Sequence, residues 1–257
     1  MKAVILCGGR GTRMREETEF RPKPLVEIGG MPILWHIMKI YSHYGVKDFV
    51  LCLGYKGHMI KQFFLDLEVY NKDVTYNPKT KKLIHHYPQD VEDWNITFAE
   101  TGQDSLTGSR IKQIEKYIDE ENFYLTYGDG VSDINLKDLL AFHLKQKKIG
   151  TVTAIRPIAR FGALSINNGV VVDFTKKNIM HGNRVDGGYF VFNRRIFDYL
   201  SLDKNCALED EPLKNLAKDN QFVAYSHSGF WQCMDIPQHL DYLNEVWNKN
   251  EAPWKKW

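Results

Sequence analysis

The chain has 257 residues, 43% hydrophobic and 26% charged, proportions of an ordinary globular protein that exclude disorder, collagen and coiled coil. Its 34 Lys and Arg nearly balance 32 Asp and Glu, for a formal charge of +2, so bulk charge implies neither a nucleic-acid nor a membrane partner. No apolar run approaches the roughly 18 residues of a membrane span.

Residues 2–7 predict a buried strand, a short apolar run ended by glycines. Pro32 is expected to open a helix at its first turn, where a missing N–H costs nothing. Ile33, Leu34, Ile37, Met38, Ile40, Tyr41 and Tyr44 give that helix a broad apolar face, and Gly45 ends it. Residues 48–54 predict a second strand and 57–67 a second helix. The polar stretch 71–94 carries only weak strand signals. Residues 95–101 alternate like a strand, 109–118 read as helical, and 122–127 form a strand entering Gly128-Asp129-Gly130. Residues 136–147 are a clear helix. Strands separated by helices of this length argue a parallel sheet covered on both faces.

The second half changes character. Strands at 150–155, 163–166, 170–175 and 187–193 are separated by turns, with short helices at 194–200 and 211–218. Further strand pieces lie at 222–227 and 231–234, and 237–248 makes a terminal helix. The fold class is therefore α/β: one doubly wound, mostly parallel sheet with a small mixed β appendage. The first apolar stretch is too short and wrongly flanked for a secretory signal peptide. Cys7, Cys52, Cys206 and Cys233 are scattered, with no C-x-x-C pair and no zinc spacing. The expectation is a cytoplasmic protein with reduced thiols, in which the Asn95-Ile96-Thr97 sequon is chance.

The first chemical signal is the glycine-rich turn Gly8-Gly9-Arg10-Gly11-Thr12-Arg13 directly after strand one, followed by Arg21-Pro22-Lys23-Pro24. Such a turn lets backbone N–H groups cradle phosphate oxygens. It is not a Walker A loop, because no Gly-Lys-Ser/Thr follows. It fails the dinucleotide fingerprint because Met14 stands where the third glycine should and no helix is expected there. Instead Arg13, Arg21 and Lys23 place three cations beside the cradle, and the flanking prolines fix the direction of Lys23. Two carboxylates complete the pattern. Asp129 follows a strand at the carboxyl edge, where open α/β sheets bind ligands, and Asp235 follows the strand piece after Phe230-Trp231. Paired hard carboxylates suit Mg²⁺, bound together with substrate phosphates; the same residues can equally be Asx-turn aspartates that shape loops.

The run Leu6-Cys7-Gly8-Gly9-Arg10-Gly11-Thr12-Arg13, with Pro22-Lys23-Pro24-Leu25-Val26, resembles the sugar-1-phosphate nucleotidyltransferases. Within them the chain is most similar to the glucose-1-phosphate cytidylyltransferases. Gly54-Tyr55-Lys56-Gly57, Thr126-Tyr127-Gly128-Asp129-Gly130, Arg160-Phe161-Gly162-Ala163-Leu164, Gly229-Phe230-Trp231-Gln232 and Ala252-Pro253-Trp254-Lys255 match in type and order. The resemblance implies a Rossmann-like nucleotide-diphospho-sugar transferase fold and transfer of CMP from CTP to a sugar 1-phosphate, α-D-glucose 1-phosphate first. It divides the single domain 1–257 into a nucleotide-binding core, 1–150, and a sugar-phosphate and oligomerisation part, 151–257. It implies nucleotide binding by Leu6, Gly8, Gly9, Gly11, Thr12, Arg13, Lys23, Ser105, Arg110, Asp129 and Gly130. Sugar-phosphate binding falls to Tyr127, Gly162, Lys177 and Asp186, and Mg²⁺ to Asp129 and Asp235. Arg13 would stabilise leaving pyrophosphate and Lys23 the α-phosphoryl oxygens. A homo-oligomer, hexameric in the cytidylyl branch, is implied as well. A nucleotide sensor without turnover is disfavoured, because it would tolerate losing any of Arg13, Lys23, Asp129 and Asp235.

Base choice is expected in residues 101–110. Related thymidylyl- and uridylyltransferases carry a Pro-x-Gly segment there, whereas this chain reads Thr101-Gly102 and Thr107-Gly108-Ser109-Arg110. Cytosine offers an amino donor and a neighbouring acceptor, which the Ser105 hydroxyl and loop backbone groups can meet, while Arg110 is expected to reach a phosphate. Near the sugar the chain departs from its family: Lys176-Lys177-Asn178 replaces Glu-Lys-Pro, and Asp186-Gly187-Gly188 replaces Asn-Gly-Gly. Lys177 stays in register for the phosphate, but the hydroxyl-binding carboxylate has become a cation that only donates hydrogen bonds. Either Asp186 takes over the hydroxyl contacts, or the acceptor is a different phosphorylated compound. The tail residues Trp247, Trp254 and Trp257 are expected to pack against the body or a neighbouring subunit.

Overall fold

Four consecutive apolar residues leave no polar face on β1 (Ala3–Leu6), and the strand is buried throughout, as a central parallel strand must be. The computed structural model describes residues 1–71, 73–86, 92–156, 163–167, 170–175 and 184–257. After the glycine loop come the single turn α1 (Arg15–Thr18), the short ladder of β2 (Glu27–Ile28) with β3 (Met31–Pro32), α2 (Ile33–His43), β4 (Asp48–Leu53) and α3 (Gly57–Asn71). The hairpin β5 (Val74–Asn77) and β6 (Lys82–His85) precedes β7 (Asn95–Glu100), α4 (Thr107–Gln113), β8 (Asn122–Tyr127), β9 (Gly130–Ser132) and α5 (Leu136–Gln146). The second half holds β10 (Gly150–Ile155), β11 (Ala163–Asn167), β12 (Val170–Thr175), β13 (Val185–Asn193), α6 (Glu211–Lys218), β14 (Phe222–Ser226), β15 (Trp231–Cys233) and α7 (Pro237–Asn248).

One seven-stranded sheet, in the order β14-β10-β13-β8-β1-β4-β7, runs through both halves. Every neighbour in it is parallel except β13, which is antiparallel to both β10 and β8. The mostly parallel Rossmann-like sheet is as expected, but β10, β13 and β14 complete the main sheet. Among the described residues of the second half, the β11–β12 hairpin and β15, which pairs with β9, stand apart from it. Alternation along the strands serves two cores. Ala3 and Ile5 face one with α2, and Val4 and Leu6 face the other with Phe123, Leu125, Phe190 and Phe192. Leu6 stands opposite both Cys52 and Tyr127. The carboxyl ends of β1, β4 and β8 therefore finish level, and the loops that follow them emerge along one edge.

Three local expectations give way. Pro32 does not open α2. It pairs with Glu27 across the β2–β3 ladder in extended conformation, and α2 starts at Ile33. The cause is the Gly29-Gly30 turn, whose φ values of 59° and 79° give the two left-handed residues that a tight hairpin requires. A 3₁₀ turn (Thr12–Met14) and α1 start directly after the glycine loop, with Gly11 at φ 63° supplying the reversal. The helix expected over 109–118 is α4, beginning at Thr107 and ending at Gln113, followed by a 3₁₀ turn at Glu115–Tyr117.

The tail tryptophans pack against the body. Trp254 is fully buried, and the His36 ring makes contacts with Trp247, Trp254 and Trp257. A Cβ on Gly29 would stand 1.9 Å from Trp247 Nε1, so the hairpin glycine also makes room for the tail. His36 Nε2 lies 2.8 Å from the Ile28 carbonyl oxygen, and burial lowers its pKa to about 4. Among the described residues no helix is long and apolar enough to cross a membrane.

Candidate active site

The three-residue ladder β9–β15 does the decisive positioning. It pairs Gly130 with Cys233, and Met234 N–H donates to the Asp129 carbonyl at 2.8 Å. The residue before one strand and the second residue after the other, Asp129 and Asp235, are thereby brought side by side. Lys23 enters between them from the 3₁₀ turn Lys23–Leu25, which the extended Pro22 leads into. Its ammonium donates to Asp129 Oδ2 at 2.5 Å and to Asp235 Oδ1 at 2.7 Å. Arg13, from the glycine loop, donates to Asp235 Oδ2 at 2.7 Å. Burial by itself lowers the pKa of Lys23, but the two carboxylates outweigh it and the net direction is upward. Burial opposes ionisation of Asp235 too, yet Lys23 and Arg13 hold its carboxyl below the usual range.

Two clefts meet at this cluster. The first, about 380 Å³, is lined by Leu6, Gly8, Gly9, Gly11, Thr12, Arg13, Lys23, Ser105, Arg110, Tyr127 and Asp129, with Leu106 and Thr107 beside them. The second, about 210 Å³, is lined by Tyr127, Asp129, Gly130, Asp186, Gly187, Gly188, Trp231, Cys233 and Asp235, and again by Arg13. Arg13, Tyr127 and Asp129 belong to both. A larger, mainly apolar cleft beside Phe20, Met31 and Phe63 has no such convergence of charge.

Asp186 sits in the second cleft, where its Oδ1 accepts the Gly188 N–H at 2.7 Å. Burial raises its pKa to about 6; the Gly188 hydrogen bond opposes the rise and the nearby Glu209 charge adds to it. Gly162 and Lys177, together with Lys176, lie outside the described residues. Arg110, expected to reach a phosphate, lines the first cleft. Its guanidinium is buried and turned to oxygens of the protein itself: the carbonyls of Leu53 (2.9 Å), Gly102 (2.7 Å), Gln103 (3.4 Å) and Gly8 (3.1 Å), and Thr101 Oγ1 (2.8 Å). It braces the floor of the first cleft. Ser105 lines that cleft, and its hydroxyl accepts from Gln113 Nε2 at 3.4 Å.

The chain matches the nucleotidyl transferase family over residues 2–250. It is 48% identical to a Bacillus subtilis protein named "Probable glucose-1-phosphate cytidylyltransferase", with all of both chains covered. It is 47% identical, again with all of both chains covered, to glucose-1-phosphate cytidylyltransferase of Salmonella typhimurium. The chain belongs to the glucose-1-phosphate cytidylyltransferase family. It is a nucleotidyltransferase. Its fold is similar to that of UDP-glucose pyrophosphorylase complexed with UDP-glucose (TM-score 0.70, 17% identity, 97% of this chain and 98% of that one). HddC from Yersinia pseudotuberculosis is similar too (TM-score 0.69, 22% identity, 96% of this chain and 99% of that one).

In this family member the structure brings Arg13, Lys23, Asp129 and Asp235 into one cluster and puts Gly8, Gly9, Gly11, Thr12 and Ser105 around the first cleft. Leu106 and Thr107, which also line the first cleft, belong to the 101–110 segment expected to choose the base; sequence reading missed Glu209, which accepts from Tyr127 at 2.5 Å. A solitary carboxylate on a loop carries no spacing signal, and only the chain's folding back onto α4 reveals it.

Proposed function

We propose that the chain transfers CMP from CTP to α-D-glucose 1-phosphate, giving CDP-glucose and pyrophosphate. The observation that carries this reading is the meeting of a glycine-cradled cleft and a second, carboxylate-bearing cleft at Arg13, Tyr127 and Asp129, beside Lys23. The first cleft takes CTP, with its triphosphate along the Gly8–Gly11 backbone. The second takes the sugar phosphate, so that a phosphate oxygen faces the α-phosphorus. That oxygen forms the new P–O bond, the bond from the α-phosphorus to the bridging oxygen breaks, and pyrophosphate leaves. No covalent enzyme intermediate is needed, because the work is positioning and neutralisation of charge. Lys23 donates to the α-phosphoryl oxygens as charge builds there, and Arg13 donates to the departing pyrophosphate.

The residues fit Mg²⁺. Asp129 and Asp235 aim one oxygen each at a shared point that the Lys23 ammonium now fills. Among the described residues no group of three or more His, Cys, Asp or Glu forms a protein-only cage. Two carboxylates completed by substrate phosphates are the ligand set this ion prefers. Bound there, Mg²⁺ would neutralise charge on the triphosphate and the incoming phosphate. Lys23, released from the carboxylates, would then be free to turn to the α-phosphate. The family resemblance further supports a homo-oligomer, hexameric in this branch, acting in the cytoplasm.

The position of Asp186 in the second cleft supports its taking over the hydroxyl contacts of the missing family carboxylate. The direct test is pyrophosphate release with each of the four nucleoside triphosphates and a panel of sugar phosphates. CTP with glucose 1-phosphate is expected to be the productive pair. Release with CTP and only a different phosphorylated compound would transfer the reading to that acceptor, with Lys176 and Asp186 then serving a differently charged group.

A pH dependence follows from Asp186. Its carboxyl gains a proton as pH falls through about 6, and the protonated form loses acceptor capacity toward sugar hydroxyls. The advantage of wild type over Asp186→Asn in KM for the sugar phosphate should therefore be full near pH 8 and vanish by about pH 5. Comparing the two enzymes cancels the substrate's own phosphate ionisation near pH 6. A ratio independent of pH would remove Asp186 from sugar binding.

A further inference from the structure

Glu209 precedes α6 on an exposed loop and belongs to no motif, yet both its carboxylate oxygens are engaged. Oε1 accepts the Tyr127 hydroxyl at 2.5 Å and Oε2 accepts the Thr107 hydroxyl at 2.6 Å. Thr107 Oγ1 in turn accepts the Leu208 N–H at 2.8 Å. The same loop is fastened to the start of α4 by two backbone bonds, Leu106 N–H to the Lys204 carbonyl (2.7 Å) and Ser109 N–H to the Cys206 carbonyl (3.0 Å). Thr107 lines the nucleotide cleft, and Tyr127 lines both clefts. The Tyr127 ring rests on Gly188, where a Cβ would stand 2.7 Å from it, and meets Phe190 edge-on at 6.1 Å. Its flank is thus set by packing, and its hydroxyl end is held by Glu209.

We propose that Glu209 is a positioning residue for the acceptor: by joining the Tyr127 and Thr107 hydroxyls it fixes the wall between the nucleotide and sugar-phosphate clefts. The proposal rests on transfer to a sugar phosphate as set out above. A hydrogen bond to a charged acceptor is a strong one, and the carboxylate holds the two donors in one geometry. Without it the Tyr127 side chain loses the partner that orients its hydroxyl, and the second cleft loses a fixed boundary. The nucleotide cleft keeps its glycine loop, Ser105 and Arg110, so the loss falls mainly on the acceptor side.

The experiment compares wild type with Glu209→Ala, Glu209→Gln, Tyr127→Phe and the Glu209→Ala/Tyr127→Phe double variant. Glu209→Ala should raise the acceptor KM roughly tenfold, the loss expected for one hydrogen bond to a charged group. The KM for CTP and kcat should change far less. Glu209→Gln should recover most of the loss, since its amide oxygen accepts from Tyr127 and its N–H donates to Thr107 Oγ1. The double variant should be no worse than the poorer single one, as members of one network do not add. The ¹³Cζ resonance of Tyr127, assigned by its loss in Tyr127→Phe, should shift in Glu209→Ala and reads the hydrogen bond without turnover. An unmoved resonance, an unchanged acceptor KM or multiplicative effects would overturn the proposal. Wild type that fails with glucose 1-phosphate overturns the functional reading instead; the kinetics are then run with the acceptor the panel identifies, and if there is none the resonance alone decides.

Discussion

Lys23→Ala is expected to lower kcat by roughly 10²–10³, about 3–4 kcal/mol of transition-state stabilisation, while the KM for CTP changes much less. The asymmetry follows from where Lys23 stands. In the free protein its ammonium is already satisfied by Asp129 and Asp235 and is only 13% exposed. With Mg²⁺ bound at those carboxylates it would be released, and its full hydrogen bond to the α-phosphoryl oxygens is then made only as charge grows there. An interaction made late in this way appears in kcat rather than in binding. The variant also leaves two carboxylates facing each other with Arg13 as their remaining neighbour of opposite charge on Asp235. Thermal unfolding should accordingly be recorded beside single-turnover rates, to separate a folding defect from a chemical one. A folded variant with near-normal kcat would remove Lys23 from the reaction and leave it as a structural counter-ion to the two aspartates.

The cluster shows what a sequence reveals and what it hides. Lys23, Asp129 and Asp235 each stand out by their local setting: prolines on both sides of one, a strand-ending Gly-Asp-Gly turn around another. Their mutual distance is not legible, because it depends on the three-residue ladder β9–β15, which joins segments about a hundred residues apart and has too few residues to show a period. The parallel strands β1, β4 and β8 are legible as apolar runs, since burial on both faces demands them. The antiparallel entry of β13 between β8 and β10 is not, because the same apolar run serves either direction. The Gly29-Gly30 turn was readable in principle: two adjacent glycines between the short pairs Glu27-Ile28 and Met31-Pro32 suit a tight hairpin, but the strong helical pattern behind Pro32 masks them. Arg110 illustrates the remaining gap. A cation following a polar segment near a phosphate cradle suggests a phosphate partner, and only the folded chain shows the carbonyl oxygens to which it also donates.

Arg110→Met should be the more damaging change to stability. The guanidinium ties the end of β4, at Leu53, to the loops after β1 and β7, through Gly8 and residues 101–103. The fit is close: a Cβ on Gly8 would stand 2.2 Å from Arg110 Cζ, and one on Gly54 2.6 Å from Nη1. Methionine fills part of the volume but donates nothing, so buried carbonyls lose a charged donor, at about 1–3 kcal/mol for each one left unpaired. With two or more carbonyls left unpaired the net expectation is roughly 3–5 kcal/mol, or about 10 °C in Tm for a chain of this size. CTP affinity should fall at least tenfold with it, because Gly8 and the 101–106 segment form the cleft's floor and side. Arg110→Lys separates charge from geometry. A lysine restores the positive charge at a point, with three donors on a flexible stem, and cannot span carbonyls from three segments as the planar fork does. It should therefore recover little of either loss. If Arg110→Lys instead restored both Tm and CTP affinity, charge alone would be the requirement. The residue would then return to the role of a phosphate-directed cation.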